Sequence, residues 1–150
     1  MQVMSMCRLS IAALLLLGAT GMALADGDAD NGKNIFKKCM ACHRIGDNAT
    51  NLVGPALTGV VGRKAGTFAG FNYSTTMKNA GNDGLTWDDK TIAAYVQDPS
   101  GYLKKFLTDA GKPDDYADTP KMTFKLLKPD GTADPAAIAD VIAYLKTFSK

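Results

Sequence analysis

The segment KKCMACHRIG, residues 37 to 46, places Cys39, Cys42 and His43 within five positions. His43 is the only histidine among the 150 residues, and the only other cysteine is Cys7. Four chemistries use such a group: a disulfide or redox pair, a zinc corner, a nucleophilic cysteine, or the attachment of a haem.

Three of these fit poorly. A disulfide between Cys39 and Cys42 closes so short a loop that it contributes little by chain entropy. A thioredoxin-like redox pair needs a strand before the motif, and no convincing strand precedes it. Zinc wants four ligands, usually in two separated pairs, and no second Cys or His pair exists. A nucleophilic cysteine wants a distant histidine and an orienting partner, whereas His43 is adjacent and unique. Haem attachment uses every residue of the motif. Thiols at i and i+3 leave a helical turn on one side and can form thioethers with the two vinyl groups. His43, at i+4 from Cys39, then points at the iron. A solitary histidine also removes a competing iron ligand.

The second axial position separates an electron carrier from a haem enzyme or gas-binding sensor, because an open iron admits small ligands. With no further histidine, the neutral candidates are methionines. Met40 sits inside the attachment loop, which leaves Met77 and Met122. Met122 lies in the proline-bracketed stretch TPKMTFKL, far from the motif, as a flap over the opposite face should be. Met77 suits the filling of an apolar gap, the usual work of a lone methionine. The expected ligand pair is therefore His43 and Met122. Thioether sulfur favours ferrous iron and raises the reduction potential.

The elements that must position these residues begin after a separate leader. Residues 1 to 25 combine Arg8, the apolar run IAALLLL and a small-residue ALA end, and read as a cleaved secretory signal peptide. The apolar stretch is short of the roughly 20 residues that span a bilayer. Cys7 leaves with the leader, and residues 26 to 150 form one domain. Without Arg8, 16 basic groups (17 minus 1) face 15 acidic ones, all Asp, a balance that argues against a nucleic-acid partner.

Helix signals dominate, so the fold class is all-α with four to five short helices. Asp28 caps a first helix that delivers the cysteine motif, with Gly32, Ile35, Phe36 and Cys39 at helical spacing. A second helix starts at Ser74 and stops before Gly81. Thr86 with Asp89 suggests a capping box for a third, ending at Asp98-Pro99. A fourth runs from Ser100 to Ala110, and Asp134-Pro135 opens a C-terminal helix with an apolar stripe through Ile138, Val141, Ile142 and Leu145. The loops from Gly46 to Gly70 and from Gly111 to Pro135 are long for a small domain. Such loops are expected to wrap a large apolar ligand.

In order along the chain, GKNIFKKCMACH, VGPALTGVVGRKAG, FNYS, LTWDD, AAYVQDP, KMTF and DVIAYLK resemble the soluble class I cytochrome c family, especially the larger bacterial relatives of mitochondrial cytochrome c. The resemblance implies the cytochrome c fold around one covalently bound haem c. It implies that the Pro55 carbonyl accepts the second ring N–H of His43. Arg63, Tyr73 and Trp87 would hydrogen-bond the haem propionates, and Tyr95 would lie beside the Met122 sulfur. The terminal helices would cross where Gly32 and Phe36 meet Val141 and Tyr144. Lys38, Lys121 and Lys125 would ring the haem edge and steer acidic partner surfaces.

The function so implied is that of a monomeric periplasmic electron carrier, not an enzyme. It would run between a quinol-oxidising complex or dehydrogenase and an oxidase, peroxidase or photosynthetic reaction centre, without stable membrane insertion. Three departures stand out. Pro120 replaces a frequent threonine, Met77 replaces an asparagine of mitochondrial members, and the segment between Pro99 and Met122 exceeds the mitochondrial length.

Overall fold

The computed structural model describes residues 26 to 149. The expected signal peptide and Cys7 lie outside the described residues. Among the described residues five helices carry the fold: α1 (Ala29–Phe36), α2 (Thr75–Asn82), α3 (Asp89–Gln97), α4 (Pro99–Asp109) and α5 (Pro135–Lys146). A single 3-10 turn, Pro113–Asp115, follows α4. Among the described residues, β pairing is limited to isolated bridges at Lys64 with Thr86 and Leu127 with Ala133. None of the described helices is long and apolar enough to cross a membrane.

Helix α1 starts where the Asp28 carboxylate accepts the N–H groups of Asp30 and Asn31, satisfying two donors that the first turn leaves free. It crosses α5 closely. A Cβ on Gly32 would overlap the carbonyl oxygen of Asp140 and lie 2.9 Å from Tyr144 Cβ. Glycine is thus what lets the two backbones meet. Asp140 closes the crossing from the α5 side, accepting the Asp28 N–H at 2.7 Å and the Asn31 side-chain amide at 2.5 Å. Phe36 fills the junction beside Tyr144, with ring centroids 5.3 Å apart.

Two helix boundaries differ by two residues from the sequence expectation, and α4 lies one residue earlier at each end than the expected Ser100 to Ala110. Helix α2 is capped by Ser74 but continues through Gly81, because that glycine packs directly against the backbone of Ala65. A stop signal in the sequence is here a point of close approach. Helix α3 is capped two residues later than the Thr86 pairing suggests. The Asp88 side chain accepts from Thr91 N–H, and the Thr91 hydroxyl lies within 2.8 Å of Asp88 N, which donates to it. Thr86 contributes only its carbonyl, to that same hydroxyl. Helix α4 begins with Pro99 as its first residue, where a missing N–H costs nothing.

The core runs between these helices through Phe36, Leu85, Leu103, Leu107, Ile138 and Leu145, all buried. The long loop 46–73 carries no regular structure and is held by specific polar contacts. The Thr58 hydroxyl donates to the Gly46 carbonyl and accepts the Gly46 N–H. Asn51 accepts the Ala56 N–H and donates to the Ala69 carbonyl. Three backbone bonds, Gly62 to Trp87, Trp87 to Arg63 and Ala65 to Leu85, attach the loop to the entry of α3.

The crossing of α1 and α5 yields a direct test. Gly32→Ala should destabilise the protein by about 1–3 kcal/mol through overpacking. Denaturant unfolding of the variant should show a lower midpoint with little change in slope.

Candidate haem-attachment site

The cysteine motif follows α1 without a break in direction. After Phe36 the chain continues in turns in which Cys42 N–H and His43 N–H both donate to the Cys39 carbonyl, at 3.0 and 2.9 Å. This single helical turn brings the two side chains to one side of the backbone. Both thiols are unpaired with each other and partly buried. Burial pushes the Cys39 thiol up to about 11, with Cys42 adding to the rise and Lys38 opposing it. The Cys39 sulfur is therefore favoured in its neutral form, which is a poor setting for a nucleophile or a zinc ligand.

His43 is fixed from behind. Its Nδ1 donates to the carbonyl oxygen of Pro55 at 2.8 Å. A carbonyl can only accept, so the proton resides on Nδ1 and the Nε2 lone pair is left to bind a metal. Burial holds the ring below the usual histidine range, against the opposing pull of the Pro55 bond. Gly54 makes this contact possible, since a Cβ there would crowd the ring and reach within 2.7 Å of Nδ1. Gly54 N–H in turn donates to the Cys42 carbonyl at 2.8 Å, tying the loop to the motif.

A second group gathers Arg63, Tyr73, Trp87 and Tyr95. Trp87 and Tyr95 are both buried, with ring centroids 4.9 Å apart. Burial raises the Tyr73 hydroxyl above the usual range and Arg63 opposes that rise; burial lowers Arg63, with Tyr73 opposing. The two groups therefore lie near each other in a partly dry setting. Tyr95 is also raised, chiefly by burial. Arg63 donates to the carbonyls of Ala56 and Thr58 at 3.1 and 3.3 Å and stacks over Phe68 at 4.7 Å. Two of its five N–H groups are thus bound, and the remainder can serve an anionic group.

The two methionines occupy different settings. Met77 is buried on α2, within the apolar core. Met122 is half-buried in irregular backbone after α4 and packs against the edge of that core. Lys38, Lys121 and Lys125 are exposed. Two of them also hold local contacts: Lys121 donates to the Asn72 carbonyl and lies over Phe71, and Lys125 pairs with Asp98 at 3.0 Å.

The donor set fits a covalently attached haem. It offers two thiols on one turn, an imidazole with a free Nε2, a soft thioether on a separate strap, and Arg63 and Tyr73 as donors for carboxylates. Sequence reasoning missed three residues that support this arrangement. Gly54 was visible only as part of the GP pair, while Asn51 and Thr58 are polar loop residues whose roles appear only once their distant carbonyl and N–H partners are known.

The family model described as Cytochrome c matches residues 29–149. Cytochrome c2 iso-1 of Rhodospirillum centenum is 53% identical over 124 residues, covering 83% of this chain and 98% of its own. Cytochrome c2 of Rhodopseudomonas palustris strain ATCC BAA-98 / CGA009 is 50% identical over 140 residues, covering 90% and 94%. The structure of the Rhodospirillum centenum cytochrome c2 superposes with a TM-score of 0.77 at 52% identity, covering 83% of this chain and 100% of that one.

The Gly54 contact gives the test for this site. Gly54→Ala should displace the imidazole from Pro55, cost about 1–3 kcal/mol, and abolish the hydrogen-bonded His43 Nδ1–H resonance in the proton NMR spectrum. Gly59→Ala, strained by its positive φ of 67° but with no atom within 4 Å of the added carbon, should cost stability yet keep that resonance.

Proposed function

Because the chain belongs to the cytochrome c family, a class of electron carriers with one covalently bound haem c and the cytochrome c fold, we propose that it is a periplasmic one-electron shuttle with His43 and Met122 as its iron ligands. The observation that carries this reading is the His43 Nδ1 to Pro55 bond, formed one residue after Cys42 on the turn that presents both thiols. The bound haem supplies a centre that takes up and releases one electron.

The residues of this chain do the rest. Cys39 and Cys42 hold the group in one orientation, and the Pro55 carbonyl keeps the His43 ring from rotating. Met122 would supply the iron with a neutral sulfur, a choice that favours the reduced state. Arg63, Tyr73 and Trp87 would offer donors to the propionates, and the buried Tyr95 would help to keep water from the Met122 sulfur. An iron held by two residues of the chain would suit electron exchange and disfavour binding of oxygen or peroxide.

The partners proposed are redox proteins with acidic docking surfaces: a quinol-oxidising complex or dehydrogenase on one side, an oxidase, peroxidase or reaction centre on the other. Exposed Lys38, Lys121 and Lys125 support this reading, with a steering that fades as salt screens it. A leader in residues 1 to 25, removed on export, would deliver the chain to the periplasm as a monomer.

The methionine assignment is tested on the ferric protein with its haem attached. The parent and Met77→Ala should show the sulfur-to-iron charge-transfer band. Met122→Ala should lose it, bind added imidazole readily and have a lower reduction potential. The reverse pattern would contradict the assignment, and a parent protein that binds cyanide or carbon monoxide rapidly would indicate a haem enzyme or gas sensor instead.

A further inference from the structure

The stretch around Met122 is held in an unusual way. Among the described residues, no backbone-to-backbone hydrogen bond involves residues 119 to 125. The stretch is a strap whose backbone is bonded only at its two ends; between them Pro120 is buried, Met122 is half-buried, and Lys121 and Lys125 reach the Asn72 carbonyl and Asp98. At the far end Leu126 N–H donates to the Val96 carbonyl at the end of α3, at 2.7 Å. At the near end stands Asp118, in the segment that exceeds the mitochondrial length.

Asp118 grips the start of α2. Its two carboxylate oxygens accept the N–H groups of Thr75 and Thr76 at 2.9 and 2.8 Å. The Thr76 hydroxyl donates to the Asp118 carbonyl at 2.5 Å and accepts the Asp118 N–H at 2.9 Å. Thr76 is fully buried, so water does not compete for its hydroxyl. Negative charge at a helix N-terminus is favoured by the helix dipole as well as by the bonds themselves. Four hydrogen bonds therefore anchor the residue lying four positions before Met122.

Resting on the reading of Met122 as an iron ligand, we propose that the clasp between Asp118 and Thr76 is the positioning device that keeps the Met122 strap closed and sets how readily an added ligand displaces the thioether. The strap has no backbone bonds of its own, and the polar contacts between its ends, Lys121 with Asn72 and Lys125 with Asp98, come from exposed side chains. Its backbone therefore takes its position chiefly from its ends, and the Leu126 end is a single backbone bond. Loss of the stronger end lets the intervening residues lift without unfolding α2, which keeps its own cap at Ser74.

The experiment is an imidazole titration of the ferric protein with haem attached, following the sulfur-to-iron charge-transfer band. Asp118→Ala, which loses two hydrogen bonds to a charged group, and Thr76→Val, which loses two neutral bonds to the Asp118 backbone, should each raise the apparent imidazole affinity by about tenfold or more. Asp118→Asn, which keeps one acceptor oxygen, should fall between them and the parent. Asp140→Ala removes the comparable clasp between α1 and α5 and controls for general loss of stability; its imidazole affinity should stay near that of the parent. Met122→Ala marks the limit of a fully open iron. If Asp118→Ala stays within about twofold of the parent while Met122→Ala binds tightly, the clasp does not position the strap and only this inference falls. An equal rise in Asp140→Ala overturns it as well. If Met122→Ala binds imidazole no better than the parent, the ligand assignment itself fails, and the inference with it.

Discussion

One hydrogen bond, from His43 Nδ1 to the carbonyl of Pro55, sets the terms for much of the fold. It obliges a loop more than ten residues downstream to present a carbonyl to a single ring nitrogen, and it leaves the other nitrogen free to bind iron. The loop cannot reach that position with a side chain at residue 54, so Gly54 is required there. Asn51 and Thr58 then brace the loop on either side of the contact. Arg63 braces it further through the carbonyls of Ala56 and Thr58, and the backbone bonds to Trp87 and Leu85 carry the constraint to the start of α3.

The rest of the architecture serves the turn that holds Cys39, Cys42 and His43. Helix α1 aims that turn, and α1 is itself aimed by its crossing with α5 through Gly32, Phe36 and Asp140. Helices α2, α3 and α4 supply much of the remaining core, and the long segment after α4 returns to α2 through Asp118 before the strap begins. Little of this needs regular structure. The loops are ordered by side chains that satisfy backbone groups one at a time, as loops that enclose a large group must be.

Much of the chemistry was legible in the sequence because it depends on rare residue types at fixed spacing. The motif needs two cysteines and a histidine within one turn, and the chain offers one such place. The apolar stripe of α5 and the cap at Asp28 were equally plain. The misplaced boundaries have different causes: one local signal was outweighed by a tertiary contact, the other by a neighbouring local one. Gly81 looks like a stop, yet it is the point where α2 meets Ala65. Thr86 looks like a cap, yet its side chain lies just outside a box built from Asp88 and Thr91. The Asp118 clasp gave no signal, since an aspartate among Asp, Gly and Pro residues reads as a solvated loop until α2 is placed beside it. Lys121 and Lys125 gave only half of theirs: the resemblance implied charges that steer partners, whereas Asn72, Phe71 and Asp98 also engage them.

Covalent attachment is the claim on which the remaining chemistry rests. The most direct measurement is the mass of the peptide spanning Cys39 and Cys42 from protein produced in a host able to attach haem, after acid-acetone treatment. The account predicts that this peptide keeps the colour and carries the added mass of one haem across both cysteines. An uncoloured peptide with two free thiols, and pigment left in the acetone, would contradict it.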